Sequence, residues 1–224
     1  MPPLTANVWT RVFFLKVGSN AGTAFTVERG GKQYLVTAKH LVSGLPSRDA
    51  AIQIFKDQSW DDHIVSIVYP QNPDVDMAVL TSRKAFPGTL ELEPTMEGIM
   101  LSQDVFFLGF PHGMTTVSVW GGYPLPLVKR GIISALDYKD KSRIIIYVDG
   151  FNNPGFSGGP IVFSVGNTNK FRIAGVVSGY RYEKDKVYMG PNITDYAVLS
   201  NTGILIGHSI QHAVEVMDTL TGPS

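Results

Sequence analysis

Short apolar runs, rather than long amphipathic periods, dominate the pattern of hydrophobic and polar positions along the chain. The runs are rich in β-branched and aromatic residues and are separated by glycine, proline or charged residues, which is typical of β-strands joined by turns. Arg29-Gly30-Gly31-Lys32, between two such runs, predicts a tight hairpin turn. The predicted strands fall into two sets, at 8–17, 22–28, 32–37, 51–55, 64–69 and 77–80, and at 104–108, 115–120, 131–136, 143–149, 160–164, 171–178 and 197–199.

Two sets of about six strands, joined by the segment 84–98, predict an all-β fold of two packed six-stranded antiparallel β-barrels. We therefore expect an N-terminal barrel at 1–90, a C-terminal barrel at 91–200, and a C-terminal helix and tail at 201–224. The helix is indicated by apolar residues at helical spacing, with Ser200 or Asn201 as its expected N-cap. These apolar residues are Ile206, Ile210, Ala213, Val214 and Met217.

Composition narrows the classes of protein and the partners to be expected. In 224 residues, 44% are apolar and 17% charged, so the chain can bury a sizeable core. Nineteen Lys and Arg balance nineteen Asp and Glu, which removes the electrostatic argument for a nucleic acid or an anionic membrane as partner. We expect no membrane span and, without a visible signal peptide, a cytoplasmic protein unless a targeting segment was removed. The absence of cysteine excludes disulfides, thiol nucleophiles and cysteine-based metal sites.

The strongest chemical signal is a serine among glycines, Gly155-Phe156-Ser157-Gly158-Gly159-Pro160. Glycines permit a tight turn whose amides converge beside the hydroxyl, and acyl transfer needs donors of this kind where an oxyanion develops. A glycine-rich hairpin without chemistry is the alternative interpretation of the same residues. Ser157 is thus a candidate nucleophile that requires a base.

His40 and Asp76 are the candidate base and its orienting carboxylate. His40 follows the apolar run Tyr34-Leu35-Val36-Thr37, and Asp76 opens the run Met77-Ala78-Val79-Leu80. A carboxylate beside buried residues needs a partner. Asp74, two residues earlier, is the alternative orienter, and an exposed strand start is the alternative interpretation of Asp76 itself.

Taken together, these motifs make the chain resemble the chymotrypsin-like serine proteases, whose order along the chain is His, Asp, Ser. The resemblance is closest to the cysteine-free bacterial high-temperature-requirement (Deg-type) protease domains. It rests on Thr37-Ala38-x-His40, Asp76-Met77-Ala78-Val79-Leu80, Phe107-Leu108-Gly109-Phe110-Pro111-His112-Gly113, Arg130-Gly131-Ile132-Ile133-Ser134-Ala135 and Gly155-x-Ser157-Gly158-Gly159-Pro160. It implies the chymotrypsin-like two-barrel fold and a trypsin-like serine endopeptidase that acts on peptide or protein substrates.

The resemblance also implies roles for individual residues. Ser157 is expected to attack the scissile carbonyl, with His40 as its base and Asp76 as the group that orients His40. The amides of Gly155 and Ser157 are expected to form the oxyanion hole. Ser178, Gly179 and Tyr180 are expected to pair with the substrate backbone, and Phe151 and Asn152 to lie at the base of the specificity pocket. No metal or organic cofactor is implied.

This pocket lacks a carboxylate for Lys or Arg, so we expect cleavage after small or medium apolar residues. Three alternatives stay open at this point. A catalytically silent homologue that binds peptides in the same cleft is the rival function, and a homo-oligomer is possible. His208, His212 and Glu215 could share a helix face and bind a metal, but we interpret them as solvated surface residues, and His63 and His112 as surface loop residues.

Overall fold

The computed structural model describes residues 2–87, 90–116, 121–166 and 168–221. Two closed barrels form the fold, with strand orders β1-β2-β3-β6-β5-β4 and β10-β11-β12-β9-β8-β7. The first contains β1 (Val12–Val17), β2 (Asn20–Arg29), β3 (Lys32–Thr37), β4 (Ala50–Lys56), β5 (Ser59–Val68) and β6 (Ala78–Ser82). The second contains β7 (Asp104–Gly109), β8 (Leu127–Asp137), β9 (Ile145–Asp149), β10 (Pro160–Ser164), β11 (Phe171–Met189) and β12 (Asn192–Ser209).

The prediction of an all-β fold with two six-stranded barrels and a C-terminal helix is confirmed. The strands form because their side chains alternate between a buried and a solvated face, as in β4, where Ala50, Ile52 and Ile54 are buried. β10 is buried along its whole length and is correspondingly apolar. Neighbouring strands pair antiparallel throughout both barrels.

In the described ranges, the barrels are accompanied by three α-helices, α1 (Ala6–Trp9), α2 (Lys39–Val42) and α3 (Gln211–Thr221). Single turns of 3-10 helix occur at Pro111–Gly113 and Lys141–Arg143. The predicted strand 8–17 is wrong in its first residues, because Val8 lies in α1. Of the predicted strand 115–120, residues 115 and 116 have no strand structure, and 117–120 lie outside the described residues.

The start of the C-terminal helix was also mispredicted. Ile206 belongs to β12, where it pairs with Tyr147 of β9, and the helix begins only at Gln211. Ser200 and Asn201 are therefore strand residues and not N-caps. The reason is a coincidence of spacing, because Ile206 precedes Ile210 by four positions although the chain between them changes from strand to helix.

One apolar cluster spans the junction of the two barrels. It includes Phe14 of β1, Phe110 after β7, and Met217 of α3. The rings of Phe14 and Phe110 stack with centroids 5.1 Å apart. Although α3 follows the second barrel, it packs on the first, where Arg29 donates to Asp218 at 2.8 Å. The helix thus ties the barrels together. No helix in the described ranges is long and apolar enough to cross a membrane.

Candidate active site

Ser157 lies on the turn directly before β10, and close backbone packing fixes the shape of this turn. Gly158 has φ +84°, and a Cβ atom there would lie 2.0 Å from the carbonyl oxygen of Thr23. Gly155 has φ +106°, and a Cβ atom there would lie 2.3 Å from the carbonyl oxygen of Phe110. Both positions therefore require glycine, for reasons of conformation and of space.

The amides around Ser157 divide into bound and free groups. The amide of Gly158 donates to Val177 O at 2.7 Å, and the amide of Phe156 donates to Asn153 O at 3.2 Å. Neither the Gly155 nor the Ser157 amide donates to an acceptor in the described part of the chain. These two amides, on one tightly packed turn, could donate hydrogen bonds to a negative charge that develops beside Ser157.

His40 and Asp76 come together because they follow and precede neighbouring strands. His40 lies on α2 after β3, Asp76 precedes β6, and β3 pairs with β6 through Thr37 and Ala78. The His40 Nδ1 atom is 2.7 Å from Asp76 Oδ2, and the His40 amide donates to Asp76 Oδ1 at 2.9 Å. This double contact orients the imidazole and leaves Nε2 on its other side available as a base.

The carboxylate of Asp76 is ionised more readily than an ordinary aspartate. Burial alone would raise the pKa of Asp76, but hydrogen bonds from the His40 ring and the Ser178 hydroxyl outweigh it and lower the pKa below its usual value. Asp76 is therefore a fixed negative charge beside His40 at neutral pH.

Ser178 connects the carboxylate to the serine. Its hydroxyl donates to Asp76 Oδ2 at 2.5 Å, and its carbonyl oxygen accepts from Ser157 Oγ at 3.1 Å. Within the described residues, Ser157 Oγ makes this hydrogen bond and none to His40. If His40 is to act as the base for Ser157, the Ser157 side chain must first rotate away from Ser178 O. Catalytic hydrogen bonds are often completed only when substrate is bound.

Thr23, a buried residue of β2, holds the serine turn from the opposite barrel. Its amide donates to Ser157 O at 2.8 Å, and its hydroxyl donates to Gly155 O at 2.7 Å. The same hydroxyl accepts from the Phe110 amide at 3.2 Å. The first barrel thus contributes His40 and Asp76 and also fixes the turn that carries Ser157.

A model of the trypsin-like peptidase domain family matches residues 22–176, more than half of the chain. The chain belongs to this family. The matched residues of this peptidase domain include His40, Asp76 and Ser157. No curated protein sequence matches the chain.

Solved structures of proteases have the same fold. Rv3671c from M. tuberculosis H37Rv, a serine-to-alanine mutant in its inactive form, is 18% identical, with a TM-score of 0.61 over 99% of this chain and 93% of its own. The active form of Rv3671c from M. tuberculosis is 17% identical, with a TM-score of 0.62 over 99% and 85% of the two chains. The HtrA-type protease AlgW with a tripeptide is 22% identical, with a TM-score of 0.62 over 98% of this chain and 64% of its own. The resemblance to chymotrypsin-like and Deg-type proteases is therefore confirmed.

Lys129 of β8 contacts the segment of the peptidase domain that precedes Ser157. Its ammonium donates to Phe151 O at 2.6 Å and to Asn153 Oδ1 at 2.5 Å. It also lies 5.4 Å from the ring centroid of Phe156, the buried residue before Ser157. Partial burial lowers the pKa of Lys129. One cation therefore connects three residues of the segment that leads to the serine.

The residues predicted for the specificity pocket occupy different environments. Asn152 is buried, its Nδ2 donates to Gly179 O at 3.0 Å, and its Oδ1 has no partner in the described part of the chain. Phe151 is 55% exposed, with Lys129 Nζ 5.5 Å from its ring centroid. Asn152 is thus the member of the pair that touches the strand Ser178-Gly179-Tyr180.

Several histidines differ from their predicted environment. His63 was predicted in a surface loop, but it is buried in β5 and its ring stacks on Phe86 at 5.1 Å. His208 and His212 were interpreted as surface residues, but both are buried. His208 is the penultimate residue of β12, and His212 Nε2 accepts from the Ile144 amide at 3.0 Å. The helical pattern used to place them began too early, and it missed the strand that buries His208.

The remaining alternatives receive no structural support. Asp74 is largely exposed and lies 3.8 Å from Arg143, so the carboxylate that contacts His40 is that of Asp76. Among the residues that the structure describes, no three or more metal-ligating side chains form a group. His208, His212 and Glu215 therefore do not form a metal site there. His112 is exposed, as predicted.

Proposed function

We propose that this peptidase domain is a serine endopeptidase with the triad His40, Asp76 and Ser157. Ser157 Oγ attacks the carbonyl carbon of the scissile bond while His40 Nε2 takes the hydroxyl proton. The amides of Gly155 and Ser157 stabilise the oxyanion, and Asp76 stabilises the imidazolium. His40 then gives the proton to the leaving amine, the C–N bond breaks, and water hydrolyses the acyl-enzyme by the reverse sequence of proton transfers.

The observation that carries the proposal is the continuous set of contacts from Ser157 through Ser178 and Asp76 to His40. Each link is a hydrogen bond of 2.5–3.1 Å. These contacts join residues of both barrels beside two amides that have no acceptor among the described residues. A fold without catalysis has no need of this combination.

Alanine substitutions test the triad directly. Ser157→Ala and His40→Ala should each lower peptide cleavage by about 10³-fold or more, since triad members act as a unit. For the same reason the double variant should be hardly slower than either single variant. Rates of a quenched peptide substrate measure the loss, and near-ultraviolet circular dichroism controls for folding. Strictly additive losses would argue against a shared mechanism.

A fluorophosphonate probe separates the endopeptidase from the rival function, a silent homologue that binds peptides. The probe labels only an activated serine, so the wild-type chain should be labelled at Ser157 and the His40→Ala variant should not. A folded chain that binds peptides but remains unlabelled would favour the silent homologue.

We further propose that cleavage follows small or medium apolar residues. Asn152 and Phe151 carry no charge to pair with Lys or Arg, and we expect the phenol of Tyr180, by the resemblance part of a pocket wall, to narrow the entrance. Val, Ala, Leu or Thr before the scissile bond should outperform Phe, Lys and Arg, in a graded way, since pocket contacts discriminate by about 1–3 kcal/mol. Profiling with a mixed peptide library measures the preference. Dominant cleavage after Lys or Arg would refute it.

A further inference from the structure

β11 and β12 continue past the second barrel as an exposed two-stranded ribbon, residues 182–201. Tyr182 pairs with Asn201 at its base, and Met189 pairs with Asn192 at its tip. β10 pairs with β11 only as far as Val176, and Val177 exchanges hydrogen bonds with Gly158 and Gly159. From Ser178 to Met189, the edge of β11 opposite β12 has no partner strand in the described part of the chain.

This free edge begins at the candidate nucleophile. Ser178 O lies 3.1 Å from Ser157 Oγ, and the next residues, Gly179 and Tyr180, are those expected to pair with the substrate backbone. A peptide that pairs antiparallel with β11 runs from the ribbon tip towards Ser178. Its scissile bond then reaches Ser157, and the residues before that bond lie along the ribbon.

The side chains of the edge make it selective. The pairing of β11 with β12 is regular from Tyr182 to Lys186, between register shifts on either side, so successive side chains in this stretch point to alternate faces. Lys184 and Lys186 are therefore exposed on one face, and Glu183 and Asp185 on the other. Charges of this kind discourage indiscriminate pairing of a free edge. They complement an extended peptide whose own charges alternate between acidic and basic.

We propose that the β11 edge of the ribbon is an extended binding site for the segment of the substrate that precedes the scissile bond. The proposal rests on the endopeptidase function proposed above. The occupant is an unfolded protein segment that adds a strand to the sheet, a mode in which main-chain hydrogen bonds supply affinity and side chains supply selectivity. At about 3.3 Å per residue, the edge accommodates about ten residues. The preferred substrates are thus chains with a long unstructured stretch before the cleavage point.

Four quenched peptides with the same residues around the scissile bond test the site. One is short, one carries eight strand-forming residues with alternating Glu and Arg before the cleavage point, one has proline at every second position of that extension, and one has the extension after the cleavage point. The second peptide should show a kcat/KM about tenfold above that of the short one, mainly through KM, because each cross-strand pair adds a small gain. The proline and C-terminal extensions should show no gain. Equal values for the short and N-terminally extended peptides overturn the proposal, and so does a gain from the C-terminal extension alone.

A shortened ribbon provides the matched variant. Replacing residues 184–199 by Asn-Gly keeps Glu183 and Ser200 paired and closes them with a favoured hairpin turn. This variant should lose the advantage of the extended peptide, while its cleavage of the short peptide and its fluorophosphonate labelling remain those of wild type. Retention of the advantage overturns the proposal. The proposal is also overturned if the ribbon edge binds a second copy of the chain instead of substrate. In that case ultracentrifugation would show a wild-type dimer that the shortened variant does not form, and the extended peptide would have no advantage. Absence of labelling in folded wild-type chain overturns the endopeptidase function itself.

Discussion

At the scale of single residues, the Thr23 hydroxyl controls the position of the Gly155 peptide. It donates to Gly155 O at 2.7 Å and accepts from the Phe110 amide at 3.2 Å, in a fully buried setting. Thr23→Val keeps the shape and removes both hydrogen bonds. We expect kcat to fall by about 10- to 100-fold with little change in KM, because the Gly155 amide loses its alignment with the oxyanion.

The matched control is Thr23→Ser, which retains the hydroxyl. It should keep most of the wild-type kcat, and urea unfolding of both variants shows how much of any loss is structural. The Val variant leaves buried polar groups without partners, at a cost of about 1–3 kcal/mol. Wild-type kcat in the Val variant would show that the turn is held without the Thr23 hydroxyl.

Lys129 is the second residue that acts on the site through its neighbours. Its ammonium holds Phe151 O and Asn153 Oδ1, and Lys129→Met removes these hydrogen bonds while keeping an unbranched stem. We expect kcat/KM to fall by about tenfold, because charge-assisted hydrogen bonds that fix the loop are lost. The rate of fluorophosphonate labelling should fall with it.

Arg130→Met is the control for Lys129, because Arg130 lies on the same strand but pairs with Asp104 on the surface. Its kcat/KM should stay at the wild-type value. An unchanged labelling rate in Lys129→Met would contradict the bracing role.

Neither Thr23 nor Lys129 could be predicted from the sequence. Thr23 is 132 residues from Gly155 along the chain, and nothing in an apolar strand marks one hydroxyl as a contact to another barrel. That His40, Asp76 and Ser157 lie near one another could be predicted, because their residue types and order are those that the proposed chemistry requires. The hydroxyl of Ser178 on Asp76 could not, because a serine in a strand has many possible partners.

At the scale of elements, strands with buried apolar residues could be predicted and the ribbon could not. β3 and β10 have the predicted bounds, since apolar residues fill their buried positions. β11 and β12 are each more than ten residues longer than predicted. Their outer halves are exposed on both faces, so no alternation of buried and exposed positions marks them as strands.

At the scale of the whole molecule, the site depends on how the two barrels are held together. Thr23 joins β2 to the serine turn, and α3 returns from the second barrel to the first through Asp218 and Arg29. Substitutions that loosen α3 should therefore affect activity and stability together. Two buried histidines near this junction, His208 of β12 and His212 of α3, make the stability of the molecule depend on pH.

His208 is the penultimate residue of β12, and its burial lowers its pKa to about 4. The unfolded chain carries this histidine with its ordinary pKa of about 6.5. Between these pH values the unfolded state binds a proton at His208 that the folded state excludes. The contribution of neutral His208 to the free energy of unfolding is therefore complete above about pH 6.5 and is lost as the pH falls towards 4. Burial also lowers the pKa values of His63 and His212, which act in the same direction, whereas Asp76 titrates below this range.

We therefore expect the free energy of unfolding to fall between about pH 7 and pH 5, with about 2 kcal/mol of the fall due to His208. His208→Leu, which does not titrate and suits the buried position, should lose this part of the fall. Urea unfolding of both proteins at the two pH values measures the difference. The His112→Leu variant, changed at an exposed histidine, should keep the wild-type pH dependence. If the wild-type and His208→Leu chains lose the same free energy on acidification, His208 is not the group that excludes the proton.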